Sequence, residues 1–315
     1  MVGAGPAPQA PDLCSTLAAD EPLAGTAPFA RAWIAIEQPG SWGRDALRSN
    51  SLPFGIGPIL ADRAKAADVG ILLIRHPNRP RHLSDSDPRI VWVAHAESNT
   101  LKRLESNDCR ELLNWELPAI AHGDVSSLGA LGSDAASDVP IDRPLALICC
   151  HAARDACCAI HGRALYDALL ADATQQDAQY LWQCSHLGGH RFAPTMLLLP
   201  LGALYGRLDL ARARSARQAA CRNQISLDGC RGRTHEVSPV QCADLYLRQL
   251  LLCQSPADLE FSLRATDDTT SIVSARHCDG RTWSLAVAVG EQQVVRPASC
   301  GAEPESASTW QVTLQ

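Results

Sequence analysis

The sequence predicts an α/β protein made of two consecutive halves and closed by a small β extension. Three observations predict it. Compact apolar runs alternate with segments of helical spacing up to about residue 255. Hydrophobic residues make up 46% of the 315-residue chain and charged residues 20%, enough to bury a sizeable core. From residue 257 onward the pattern becomes a series of strands.

Residues 1–13 are rich in Ala, Pro and Gly and are expected to form a disordered tail. The first half, 14–135, opens with a strand at 31–37 (RAWIAIE), which Pro39-Gly40 stops. A helix is expected at 57–67. GILLIR (70–75) and RIVWVAH (89–95) are apolar runs of buried-strand length, and 109–121 is expected to be helical. A loop rich in Gly, Ser and Asp (123–143) serves as linker.

The second half, 144–255, starts with the strand PLALICC (144–150). A helix follows at 156–173, with Asp155 as its N-cap. YLWQC (180–184) is a strand, and TMLLLP (195–200) and ALYGRL (203–208) form a hairpin around Leu201-Gly202. Pro239 suits the first turn of a helix at 238–253. The extension, 256–315, carries EFSLRA, SIVSARH, WSLAVAV and a last strand near WQVTLQ.

The order β-α-β, hairpin, α resembles the thioredoxin fold. The first half echoes it: WIAIEQPGSWGRDAL and LALICCHAARDACC each run strand, loop and Arg-Asp-Ala before a helix. On this duplication the first copy is a degenerate structural partner without the cysteines.

Thirteen cysteines call for a metal or redox explanation in a chain with neither a signal sequence nor an apolar run of membrane-spanning length. Such a chain is expected in the cytoplasm, where disulfides are rare. The formal charge of −6 and pI near 5.9 argue against a nucleic-acid partner. No membrane insertion is expected.

Two segments concentrate the chemistry. Residues 149–158 read Cys-Cys-His-Ala-Ala-Arg-Asp-Ala-Cys-Cys, and residues 182–194 read Trp-Gln-Cys-Ser-His-Leu-Gly-Gly-His-Arg-Phe-Ala-Pro. Each follows a strand, and parallel strands bring their C-terminal ends to one edge of a sheet. Gly188 and Gly189 permit a tight turn with positive φ, so that His186 and His190 can face one site. Cys158 falls in the first turn of a helix, where backbone amides favour a thiolate.

These stretches, with LPLGALYGRL (199–208), EQPGSWGRDAL (37–47) and RPASCG (296–301), resemble the sucrase/ferredoxin-like family, a branch of the thioredoxin-like 2Fe–2S ferredoxins. The resemblance implies a cluster held by two Cys with eight residues between them and two His with three residues between them. Here these are Cys149, Cys158, His186 and His190. It implies a one-electron carrier coupled to proton uptake, with an unidentified redox protein as partner and no catalytic residues of its own. Imidazoles in place of two thiolates raise the reduction potential.

Around the ligands, Cys150, His151, Arg154, Asp155, Cys157, Trp182 and Arg191 are expected to tune or pack the site, and Trp42 to shield it. Asp155 is expected to pair with Arg154 or Arg191. The other cysteines, Cys14 among them, read as structural thiols, and Cys300 carries no assigned role.

Competing readings stay open on the residues alone. His151 could replace His190 as ligand. The same donors could hold a structural zinc in an interaction module. A thioredoxin-like thiol oxidoreductase is a third reading, although no C-x-x-C stands at the strand–helix turn. Sugar hydrolysis would need two paired carboxylates, and no motif supplies them.

Overall fold

The computed structural model describes residues 13–49, 52–129, 137–265 and 269–315. The expected tail, apart from Leu13, and residues 130–136 of the linker lie outside them.

The first half contributes strands β1 (Ala32–Glu37), β2 (Val69–Arg75), β3 (Arg89–His95), β4 (Thr100–Ser106) and the short β5 (Ser137–Asp138). The second contributes β6 (Leu145–Cys149), β7 (Leu181–Cys184), β8 (Met196–Leu199), β9 (Ala203–Tyr205) and β10 (Cys230–Arg233). All ten join one mixed sheet in the order β10-β9-β8-β6-β7-β2-β1-β3-β4-β5. β1 and β3 are buried along their whole length, as expected of strands covered on both faces.

Each half repeats one pattern. β2 lies parallel to β1, while β3 and β4 follow antiparallel. β7 lies parallel to β6, while β8 and β9 follow antiparallel. The units meet where β2 and β7 run antiparallel, through Ile74 opposite Cys184 and Arg75 opposite Gln183. The Arg-Asp-Ala echo in the sequence therefore corresponds to a repeated strand order.

Helices α1 (Cys14–Leu17), α2 (Gly57–Ala66), α3 (Leu117–Ala121), α4 (Arg163–Asp172), α5 (Gln175–Ala178), α6 (Leu210–Cys221) and α7 (Ser238–Leu251) complete the fold. Leu60 and Ala64 of α2 and Ile120 of α3 pack on Ile34, Ile36 and Val91 of the first half. Leu165 and Leu169 of α4 and Ala213, Ala216 and Ala220 of α6 pack on Ala146, Ile148 and Leu198 of the second. The remaining strands, β11 (Leu259–Ala265), β12 (Thr270–His277), β13 (Thr282–Pro297) and β14 (Pro304–Leu314), form an antiparallel meander against α7.

Two expectations needed correction, and one helix went unread. The helix expected at 109–121 is a 3-10 turn at Cys109–Asn114 followed by α3, because Pro118 starts a new helix. Helix α6 carried too weak an apolar stripe to be read: its buried face is made of alanines among arginines. The last two strands reach well past the segments expected, to 282–297 and 304–314.

Candidate metal centre

Cys149 ends β6 and Cys184 ends β7, opposite each other in register. Both strands therefore release their chains at one edge of the sheet. After β6 the chain turns through His151 and Asp155. The Cys157 amide donates to Asp155 Oδ1 at 2.8 Å, so Asp155 does cap the helix that follows. That helix opens with a π-turn at Cys158–Gly162 before continuing as α4. Gly162 lies against β6: a β-carbon there would run into the Cys149 carbonyl oxygen. The absence of a side chain thus lets Cys158 approach Cys149.

After β7, Ser185 anchors the loop to β2. Its amide donates to the Leu73 carbonyl at 2.8 Å and its hydroxyl accepts from the Leu73 amide at 3.0 Å. Gly188 and Gly189 then adopt φ of 80° and 70°, the left-handed region expected of the Gly pair. Arg231 donates to the Gly188 carbonyl and lies with Arg191 and Arg207 around the Phe192 ring.

These turns bring the four expected donors into a row. Cys149 Sγ, Cys158 Sγ and a ring nitrogen of His186 lie within 4.8 Å of one another. Cys149 Sγ stands 4.0 Å from His186 Nδ1, and His186 Nε2 stands 3.4 Å from His190 Nδ1. His190 Nε2 lies 2.6 Å from the Ala298 carbonyl oxygen, which can only accept, so Nε2 carries the proton and Nδ1 presents its lone pair to the row. Cys149, Cys158 and His190 are buried, and His186 is half-buried.

The hydrogen bond from Cys158 holds the Cys149 thiol well below its ordinary value, with help from His186 and the His151 amide, and Cys158 is raised in turn. Burial lowers His190, although Asp155 at 3.6 Å favours its charged form.

The surrounding residues divide sharply. Cys150 points to the opposite face of the sheet, into the core beneath α4 and α6. Trp182 lies in the same apolar cluster as Cys149 and Cys158, with its indole N–H donating to Gln179. His151 donates through Nε2 to the Gly43 carbonyl at 2.7 Å and meets Trp42 edge-on, so the EQPGSWGRDAL segment of the first half packs on the site loop. Its Nδ1 is buried with no hydrogen-bond partner among the described residues.

Asp155 pairs with neither Arg154, which is exposed, nor Arg191, which forks onto Glu21 at 2.7 and 2.8 Å. It accepts instead from the Cys157 and Cys300 amides and faces His190. Glu21 also takes Arg296 at 2.7 Å, so the N-terminal segment, the His190 turn and the end of β13 are tied together.

Sequence spacing missed a second group. Cys14, Cys157, Cys300 and Asp155 converge beside the first row. Their positions are too far apart in the chain for any motif, and neither structural packing for Cys14 nor an unassigned Cys300 anticipates it.

A protein-family model described as sucrase/ferredoxin-like matches residues 23–226, well over half of the chain. The chain belongs to the sucrase/ferredoxin-like family. No curated protein and no solved structure matches it. The sucrase/ferredoxin-like region contains Cys149, Cys158, His186 and His190 and excludes Cys14, Cys300 and the C-terminal meander. No described helix is long and apolar enough to cross a membrane. A surface pocket lined by His76, Arg79, Trp92, Tyr180 and Trp182 has Asp138 as its one carboxylate, which gives a glycosidase pair no support there.

Proposed function

We propose that the chain is a one-electron carrier whose 2Fe–2S cluster is held by Cys149, Cys158, His186 and His190. The convergence of these four donors at one sheet edge carries the reading. The donors form a row in which His190 lies beyond His186, a shape better suited to an extended two-iron group than to one tetrahedral ion. The donor chemistry fits: two thiols, one already poised as thiolate, and two imidazoles, His186 reaching Cys149 through Nδ1 and His190 turning its Nδ1 toward the row. The strand order β7-β6-β8-β9, with only β6 and β7 parallel, supports a thioredoxin-like core for the second half.

When bound, the cluster would supply storage of a single electron. The chain's own residues set its surroundings. Leu147, Trp182 and Leu187 keep water from the thiolates. Ala298 fixes the His190 tautomer and holds its proton at Nε2, the atom that would gain or release a proton as cluster charge changes. The half-buried His186 is the ligand nearest solvent and would face the unidentified redox partner. Thirteen free cysteines suit a reducing compartment such as the cytosol.

The test is spectroscopic. The purified protein should be red-brown and give an electron paramagnetic resonance signal on reduction, whereas a colourless protein with zinc at Cys149 and Cys158 sinks the reading. His190→Cys should keep the cluster but lower its potential and flatten its pH dependence. An unchanged potential removes His190 from the ligand set.

A further inference from the structure

The thiols that the first row leaves unused come from the two ends and the middle of the chain. Cys14 opens α1, Cys157 lies in the first turn after the Asp155 cap, and Cys300 sits in the turn between β13 and β14. Their sulfurs form a triangle, with Cys14–Cys157 at 3.5 Å, Cys157–Cys300 at 3.3 Å and Cys14–Cys300 at 3.7 Å. Asp155 Oδ1 completes a tetrahedron, 3.2 Å from Cys300 Sγ and 3.8 Å from Cys14 Sγ.

Those edges have a meaning. A tetrahedral zinc with Zn–S of about 2.3 Å and Zn–O of about 2.0 Å separates its sulfurs by about 3.8 Å and sulfur from oxygen by about 3.5 Å. Packing alone does not require the surrounding hydrogen bonds either. The Cys157 and Cys300 amides aim the carboxylate at 2.8 and 2.9 Å, and the Cys14 amide points at Cys300 Sγ at 3.5 Å. Such outer bonds orient ligands and stabilise thiolates. Cys14 and Cys157 are buried while Cys300 is partly open, which gives an ion a way in.

The geometry points to a second metal site, a Zn²⁺ held by Cys14, Cys157, Cys300 and Asp155. On binding, the hydrated Zn²⁺ gives up its water ligands, the three thiols release their protons to water, and three Zn–S bonds and one Zn–O bond form, with no change of oxidation state. The ion would pin residues 298–300, the strap whose Ala298 carbonyl holds His190, onto α1 and the Asp155 loop.

The full chain, purified under reducing conditions, should carry one zinc that Cys14→Ser/Cys300→Ser loses and that Cys149→Ser retains. A zinc content that Cys14→Ser/Cys300→Ser leaves unchanged, or that Cys149→Ser removes completely, overturns the proposal. Should the double variant fail to fold, the unaltered chain still decides. After chelation, added Co²⁺ should give the strong visible bands of a tetrahedral thiolate site, and Zn²⁺ should shield three thiols from a thiol reagent. Failure of Co²⁺ to bind, octahedral Co²⁺, or a disulfide among these cysteines refutes it. The zinc lost with Cys14→Ser/Cys300→Ser is read apart from any metal lost with Cys149→Ser, so the two readings fail independently.

Discussion

The two halves of the large sheet share a strand order but not a chemistry. At the end of β1, in the place that Cys149 takes at the end of β6, stands Glu37. Glu37 is buried, receives Arg79 from the chain after β2 through two bonds of 2.8 Å, and accepts from the Ile90 amide at 3.0 Å. Cys149 receives His186 from the chain after β7. The same crevice therefore closes on an ion pair in one half and opens on thiols and imidazoles in the other. Topology supplies the place where two strand ends converge. The side chains at those ends decide whether that place binds anything.

Exchanging the critical residues is the strongest way to break the comparison. Cys149→Ser should abolish bound iron and visible absorption. Glu37→Gln should leave both intact while lowering stability by about 2 kcal/mol, the cost of a buried charged hydrogen-bonding group losing its match. Loss of colour in Glu37→Gln would make the first half part of the centre.

A second difference is closure, since Glu21, Arg191 and Arg296 bind the chain's two terminal segments over the second half only. Burial alone would raise the Glu21 carboxyl, but Arg191 and Arg296 hold it below its usual value. Glu21→Gln leaves two cations without their shared anion and should cost about 3 kcal/mol in a denaturant titration. Gly162→Ala should cost about 2 kcal/mol and cut iron content, since a β-carbon there would meet the Cys149 carbonyl oxygen at the end of β6.

A further expected effect is acid sensitivity of the shared frame. Burial, with Arg233 beside it, pushes His235 down to about 3. The unfolded chain then binds more protons than the folded one between about pH 6.5 and pH 3, so stability should fall as pH drops through that window. His235→Gln should flatten that fall.

Much of the first row was legible because its members lie in two short segments next to strands, and spacing survives folding there. The Gly188-Gly189 turn and the Asp155 cap were legible for the same reason: each is a local backbone requirement with a residue type that meets it. The partner of Asp155 was not. His190 and Cys300 reach it across 35 and 145 positions, and charge alone suggested the nearer arginines. Cys14, read as a structural thiol, and Cys300, given no role, did not signal the second group because only the paths of α1 and the β13–β14 turn bring them together. Helix α6 was missed because alanine is too small to mark a buried face among arginines.

The contact between Ala298 and His190 also sets an order of manufacture. All four donors of the first row have left the ribosome before residue 298 is made, so the row can form while its cover does not yet exist. On the proposed function, a cluster inserted in that interval meets no cover. Once the last two strands pair and bring Ala298 over His190, His190 is reached only by lifting the strap. Cofactor insertion during synthesis should therefore outpace reconstitution of the finished chain.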